Sequence, residues 1–292
     1  MIKEPNSINE LLSNARDSLK HTSDSPALDA ELLLAHCLKK ERSYLYAWPE
    51  KELNEKQLSC FKALISKRLT DYPVAYILGT KAFWTLDIMV TPDVLIPRPE
   101  TELLVETALE KIKLIKQPNI LDLGTGSGAI ALALASERKD AKIIASDKSQ
   151  KALDVAQHNA KNLHLASQIK FQQSNWYSNI DRGQFDLIVS NPPYIEENDP
   201  HLEQTIRYEP KDALVAKNKG LMDIETIINQ SRKYLKKNGY LLIEHGYTQG
   251  YSTLQLFLEN NYADRKTLSD INALQRVSLA CYSPSQNKKT AL

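Results

Sequence analysis

Apolar positions recur at helical spacing through the first quarter of the chain, then switch near residue 76 to short β-type runs separated by turn residues. Ser7-Ile8-Asn9-Glu10 has the form of a capping box ahead of ELLSNARDSLK. Ser25-Pro26 puts a cap and a first-turn proline before ALDAELLLAHCLKK. Asn54 with Gln57 repeats the box ahead of Leu58, Phe61, Leu64, Ile65 and Leu69, which share one helical face. Residues 1–75 therefore predict a small bundle of three or four helices. From 76 to 96, FWTLDIMV and TPDVLIP predict a β-hairpin linker.

Residues 97–282 alternate between strand and helix patterns. Strands are expected at NILDLG (119–124), KIIASD (142–147), IKFQQS (169–174), FDLIVS (185–190), GYLLIEHG (239–246) and RVSLACY (276–282). Helices are expected from about Gly128 and over SQKALDVAQHNAKN. Such alternation implies a doubly wound α/β domain. Residues 283–292 carry no apolar periodicity and are expected to fray.

Composition narrows the class only a little. With 42% hydrophobic and 25% charged residues the chain is ordinary for a soluble globular protein. No apolar run reaches the ~18 residues of a membrane span, and MIKEPNSINE lacks the apolar core of a signal peptide, so a cytoplasmic protein is expected. Cys37, Cys60 and Cys281 have no zinc spacing and are odd in number, which predicts ordinary buried thiols. The net charge is +1, and acids and bases balance over residues 1–75. Neither fact gives an electrostatic reason for tight nucleic-acid or membrane binding.

The first candidate chemistry lies in ILDLGTGSGAIALALA. Gly124, Thr125, Gly126, Ser127 and Gly128 turn a strand into a helix and bring bare backbone and a helix N-terminus toward a ligand. Alone, this loop suits either a nicotinamide or flavin dinucleotide or S-adenosyl-L-methionine. Asp147, ending the next strand, suits the two hydroxyls of an adenosyl ribose, or else the cap of the following helix.

The second lies at Asn191-Pro192-Pro193-Tyr194, where two prolines stop a buried strand. The Asn191 side-chain oxygen and the Pro192 carbonyl are acceptors that can grip an –NH₂ group by both hydrogens. Tyr194 offers a flat face against a planar amide or base. Holding a weakly nucleophilic, conjugated nitrogen in line with a reactive methyl is catalysis by proximity and orientation. No Ser–His–acid triad or metal cluster competes for the spot.

This constellation resembles the amino-methyltransferases that pair an (Asp/Asn)-Pro-Pro-(Tyr/Phe) motif with S-adenosylmethionine. IPRPETELLVE (96–106), the glycine loop, SNPPYIEENDPHL and RYEPKDALVA together resemble the release-factor glutamine methyltransferase family over nearly the whole chain. A sister family that methylates a ribosomal-protein glutamine has Arg-Ser-Pro where this chain has Arg98-Pro99-Glu100-Thr101. The resemblance implies a seven-stranded S-adenosylmethionine-dependent methyltransferase fold behind a helical substrate-recognition domain. It implies that Gly124 to Gly128 wrap the methionine part of the donor, that Asp147 binds its ribose and that Trp176 lies against the adenine. Asn175 stands where relatives often carry an acid. Asn191, Pro192, Pro193 and Tyr194 would hold the substrate amide, Asn191 also touching the donor. The implied substrate is the glutamine of Gly-Gly-Gln in class I peptide chain release factors. A ribosomal-protein glutamine, an adenine-N6 methyltransferase, a dinucleotide oxidoreductase and a noncatalytic module are the rival readings.

Arg98, Glu100 and Glu102 could close over this site or cap the next helix. Glu244 and His245 end a strand at the ligand edge, as a general base or as a plain terminus. His158 and His164, on a charged helix, are expected to be solvated.

Overall fold

The computed structural model describes residues 6–182, 185–199 and 207–283. The expected tail lies, from residue 284 on, outside the described residues, as do the last three residues of SNPPYIEENDPHL. The chain forms two compact units, Met1–Thr80 and Lys81–Leu292.

The first unit contains α1 (Ile8–Leu19), α2 (Pro26–Leu38), α3 (Arg42–Ala47), α4 (Glu55–Arg68) and α5 (Val74–Leu78). Both capping boxes form: Ser7 Oγ accepts from Glu10 N at 3.4 Å, and Asn54 Oδ1 accepts from Gln57 N at 2.9 Å. Ser25 does not cap α2. Its hydroxyl turns instead to Asp29, which Ser23 Oγ contacts at 2.7 Å and Arg68 Nε at 2.8 Å. Ile8, Leu11, Leu19, Leu33, Leu34, Leu45, Phe61 and Ile65 make one buried core. The β pattern expected from Tyr76 begins only at Thr80, because Val74–Leu78 buries Tyr76 as a helix that Gly79 ends at φ 74. Cys37 and Cys60, far apart in sequence, are half-buried free thiols whose sulfurs meet at 2.7 Å, while Cys281 is buried.

From the last residue of the first unit onward, a small sheet of β1 (Thr80–Phe83) and β2 (Leu86–Met89) precedes the main sheet of the second. The remaining elements are α6 (Glu102–Ile112), β3 (Asn119–Leu123), α7 (Ala129–Glu137), β4 (Lys142–Asp147), α8 (Gln150–Asn162), β5 (Ile169–Gln173), β6 (Phe185–Ser190) and β7 (Ile195–Glu196). After them come α9 (Lys211–Leu214), β8 (Val215–Ala216), α10 (Met222–Ser231), β9 (Leu235–Glu244), α11 (Gly250–Glu259), β10 (Ala263–Ser269) and β11 (Gln275–Cys281). Seven strands run in the order β10-β11-β9-β6-β3-β4-β5. Strands β9, β6, β3, β4 and β5 are mutually parallel, and β11 is antiparallel to both of its neighbours.

The central strand explains the layering. Ile120, Leu121 and Leu123 of β3 are wholly buried, as a strand covered on both faces must be. Helix α7 is apolar all round and buried from Ala129 to Ala135. The chain lays down β3, β4 and β5 toward one edge, then returns to place β6 on the other side of β3. That reversal makes a switch point, with ligand space outside the carboxyl ends of β3 and β6. The sequence pattern missed β10, because ADRKTLS is mostly exposed on a sheet edge and lacks clean alternation. Among the described residues no helix is long and apolar enough to cross a membrane.

The Asp29–Arg68 pair joins α2 to α4 with both side chains about nine-tenths buried. Asp29→Ala would strand the guanidinium and is expected to cost roughly 3–5 kcal/mol, read from urea denaturation of the full chain. A loss below about 1 kcal/mol would show that the pair does not hold the bundle.

Candidate active site

Three positive-φ glycines, Gly124 (72°), Gly126 (56°) and Gly128 (86°), carry the chain from β3 into α7. Gly124 N and Thr125 N donate to Ser146 O at the end of β4, at 2.8 and 2.9 Å. Beneath the turn Thr125 Oγ1 donates to Asp122 Oδ2 at 2.6 Å. Burial pushes Asp122 up to about 7. The Ser127 carbonyl accepts from Asn159 Nδ2 at 2.9 Å, and Gly128 packs over Ala156. Thr125, Ser127 and Gly128 thus build the turn, while Gly124 and Gly126 line a cavity of about 460 Å³ beside it.

Asp147 lines the same cavity. It does not cap α8; Ser149 does, accepting from Ala152 N at 3.2 Å. Each Asp147 oxygen takes one backbone N–H, Oδ2 from Gly126 at 3.0 Å and Oδ1 from Ser149 at 2.9 Å. A carboxylate has about four acceptor sites, so roughly two remain for a ligand. Burial raises its affinity for a proton against these two hydrogen bonds.

Trp176, at φ 50°, lies next to Gly124 on the cavity wall. Its indole N–H donates to Asp223 Oδ1 at 3.2 Å. Asp223, in the first turn of α10, lines the same cavity, and burial raises its pKa. It places an acid on the wall of the cavity that Asn175 also lines, 48 residues further along the chain, where no local motif marks it.

Strand β6 ends at Ser190, whose hydroxyl donates to the Leu123 carbonyl at 2.8 Å and ties it to β3. Asn191 follows, with Nδ2 donating to Thr101 Oγ1 at 3.2 Å. The Tyr194 carbonyl accepts from Gln249 Nε2 at 3.0 Å, and its hydroxyl donates to Glu244 Oε1 at 3.4 Å. Burial, then the nearby Glu244, raises the Tyr194 pKa and keeps the phenol neutral. Asn191 lines the 460 Å³ cavity and also a second one of about 180 Å³. Pro192, Tyr194, Arg98 and Glu100 line the smaller one with it. Asn191 therefore stands where a large and a small cavity adjoin.

Known proteins align with both parts of the chain. Residues 10–79 match the PrmC N-terminal domain family, and residues 99–272 match the Methyltransferase small domain family. A release factor glutamine methyltransferase of Aliivibrio fischeri is 46% identical over 276 residues, 94% of this chain and 96% of the relative. Its counterpart in Escherichia coli is 47% identical over 262 residues, 89% and 94% of the two chains.

The chain belongs to the release factor glutamine methyltransferase family.

A solved methyltransferase from Pyrococcus furiosus, 17% identical, shares the fold at a TM-score of 0.53 over 76% of this chain and 98% of that one. Three of the four motifs that carried the family resemblance, IPRPETELLVE, SNPPYIEENDPHL and RYEPKDALVA, meet around the smaller cavity, and the glycine loop lines the larger one. Glu209, from RYEPKDALVA, is buried, accepts from Ile96 N at 3.0 Å and pairs with Arg98, both from IPRPETELLVE. Glu100 faces the cavity, whereas Glu102 turns away to accept from Trp84 N at 2.7 Å. His245 is wholly buried between Ser278 Oγ (2.8 Å) and the Gly246 carbonyl (2.9 Å). Burial lowers its pKa, and with both ring nitrogens engaged and neither cavity lined by it, His245 follows β9 as a strand terminus rather than a base at the cavity. His158 and His164 are exposed.

Gly220, in the loop before α10, lies under the Tyr194 carbonyl. A Cβ there would stand 2.1 Å from that oxygen and 2.6 Å from Gln249 Nε2, at φ 77°. Gly220→Ala is expected to cost at least about 2 kcal/mol in urea denaturation, from left-handed strain and the clash together. A cost under about 0.5 kcal/mol would show that the turn is not packed this tightly.

Proposed function

We propose that this chain methylates the side-chain amide nitrogen of the Gly-Gly-Gln glutamine in class I peptide chain release factors, with S-adenosyl-L-methionine as donor. The observation that carries this reading is Asn191 at the junction of the two cavities. The larger one has the volume of a small-molecule site and the groups an adenosyl thioether needs. Asp147 has acceptors left for ribose hydroxyls, Trp176 gives an aromatic wall, and Gly124 and Gly126 leave bare backbone beside the methionine part. The donor supplies an electrophilic methyl on sulfonium sulfur.

The smaller cavity suits one carboxamide side chain. A carboxamide nitrogen is a poor nucleophile because its lone pair is shared with the carbonyl. Asn191 Oδ1 and the Pro192 carbonyl would accept its two hydrogens and aim the lone pair at the methyl. The same acceptors offset the positive charge that grows on nitrogen as N–CH₃ forms and S–CH₃ breaks. The surplus amide proton then leaves to water. The neutral Tyr194 ring would flank the amide, and Arg98 and Glu100 line the same cavity. The reading also has the reaction in the cytoplasm, during translation termination, without tight binding to nucleic acid.

Methyl-labelled donor should label a class I release factor and spare the same factor with its Gly-Gly-Gln glutamine changed to alanine. Label in the alanine variant at the wild-type level, or only in ribosomal protein, DNA or RNA, would overturn the substrate. Asn191→Ala should lower kcat by about 10²-fold or more with the melting temperature unchanged; full activity would refute the clamp. Asp147→Ala should raise the donor Kd about 10- to 100-fold by calorimetry, and an unchanged Kd would remove Asp147 from the donor site.

A further inference from the structure

Two sulfurs in the first unit meet without any part in the chemistry above. Cys37 of α2 and Cys60 of α4, 23 residues apart, bring their Sγ atoms to 2.7 Å. Both are free thiols and half-buried.

Backbone register, rather than one side-chain rotamer, sets this approach. Cys37 lies eight residues after Asp29 on α2, and Cys60 lies eight before Arg68 on α4. Asp29 and Arg68 are themselves joined, Arg68 Nε lying 2.8 Å from Asp29 Oδ2. Equal steps in opposite directions lead from the ion pair to the thiol pair, which makes α2 and α4 antiparallel neighbours in register. Eight residues are just over two helical turns, so both contacts fall on the inward stripe of each helix. The ion pair and the thiol pair are two rungs of one seam. Cys37 also packs against the bundle core, which limits where its side chain can turn. No third ligand stands by: among the described residues no group of three or more His, Cys, Asp or Glu could hold a metal ion. The chemistry left to the pair is that of two thiols in contact, and a bonded length of about 2.05 Å asks for a side-chain adjustment rather than a helix movement.

We propose that Cys37 and Cys60 are a reversible disulfide site that straps α2 to α4, with a low-molecular-weight disulfide such as oxidised glutathione as the oxidant. One cysteine, as thiolate, attacks the small disulfide; a mixed disulfide forms and one small thiolate leaves. The other cysteine then attacks the protein sulfur of that mixed disulfide, which forms the Cys37–Cys60 bond and releases the second small thiolate. The two protein thiols lose two electrons and two protons, and the oxidant takes up both as two small thiols. A reduced thiol pool keeps the pair open, and an oxidised pool closes it. Burial pushes the Cys37 pKa up, as does the adjoining Cys60, so closure is slower than the response of an exposed thiolate sensor. Once closed, the bridge ties off the segment that carries α3 and restricts opening of the bundle. Neither cavity lends a residue to the pair, so the strap stands apart from methyl transfer.

The test incubates the folded full chain with oxidised glutathione at about pH 8, then denatures it, alkylates free thiols and measures the mass. Wild type is expected to lose about 2 Da and to take an alkyl group on Cys281 alone instead of on all three cysteines. Cys37→Ser and Cys60→Ser are each expected to stop at a glutathione adduct on the remaining partner, because the resolving thiol is gone. Dithiothreitol should make all three wild-type thiols alkylatable again. Under native conditions a protease should cut the oxidised bundle at least about 10-fold more slowly than the reduced one. Three alkylatable thiols after oxidation, a wild-type glutathione adduct that does not resolve, or a bridge to Cys281 would overturn the site. A Cys37–Cys60 bridge that left proteolysis unchanged would overturn the strap.

Discussion

Two consecutive prolines have no N–H to give, and the turn they make cannot fasten itself by its own ladder. The NPPY segment is accordingly held by groups from elsewhere in the second unit. Ser190 ties its start to β3, Thr101 holds the Asn191 amide, Gln249 holds the Tyr194 carbonyl, and Gly220 permits the close approach beneath it. The arrangement leaves the Pro192 carbonyl and Asn191 Oδ1 as acceptors on a stiff backbone. Stiffness is what a carboxamide nucleophile requires, since alignment supplies the reactivity its lone pair lacks.

The sheet order assembles these parts. With β6 and β9 on one side of β3 and β4 on the other, the carboxyl ends of four adjacent strands present NPPY, Glu244, the glycine loop and Asp147. The parallel core therefore carries donor cavity and amide clamp along one edge. Asn191 faces both cavities because β6 sits at the switch point, next to β3.

Much of this was legible in the chain. The glycine loop and the proline stop are local, because φ > 0 and a missing N–H constrain residues next to one another. The strands buried on both faces were legible for the same reason, as short apolar runs. What stayed hidden was long-range. Asp223 is one acid in an ordinary helix start until the fold brings it against Trp176. Gly220 and Gln249 acquire meaning only under Tyr194. Glu244 and His245 looked alike as neighbours, yet successive strand residues face opposite sides: one reaches Tyr194, the other Ser278. Edge strand β10 was missed because its polar, exposed sequence carries too little alternation.

The account turns on how Asn191 meets its substrate, and a crystal structure with S-adenosyl-L-homocysteine and a Gly-Gly-Gln peptide measures that directly. The glutamine nitrogen should lie within about 3 Å of both Asn191 Oδ1 and the Pro192 carbonyl, with Asn191 Nδ2 still on Thr101. A glutamine side chain bound outside the smaller cavity, or meeting Asn191 through its carbonyl oxygen, would contradict the account.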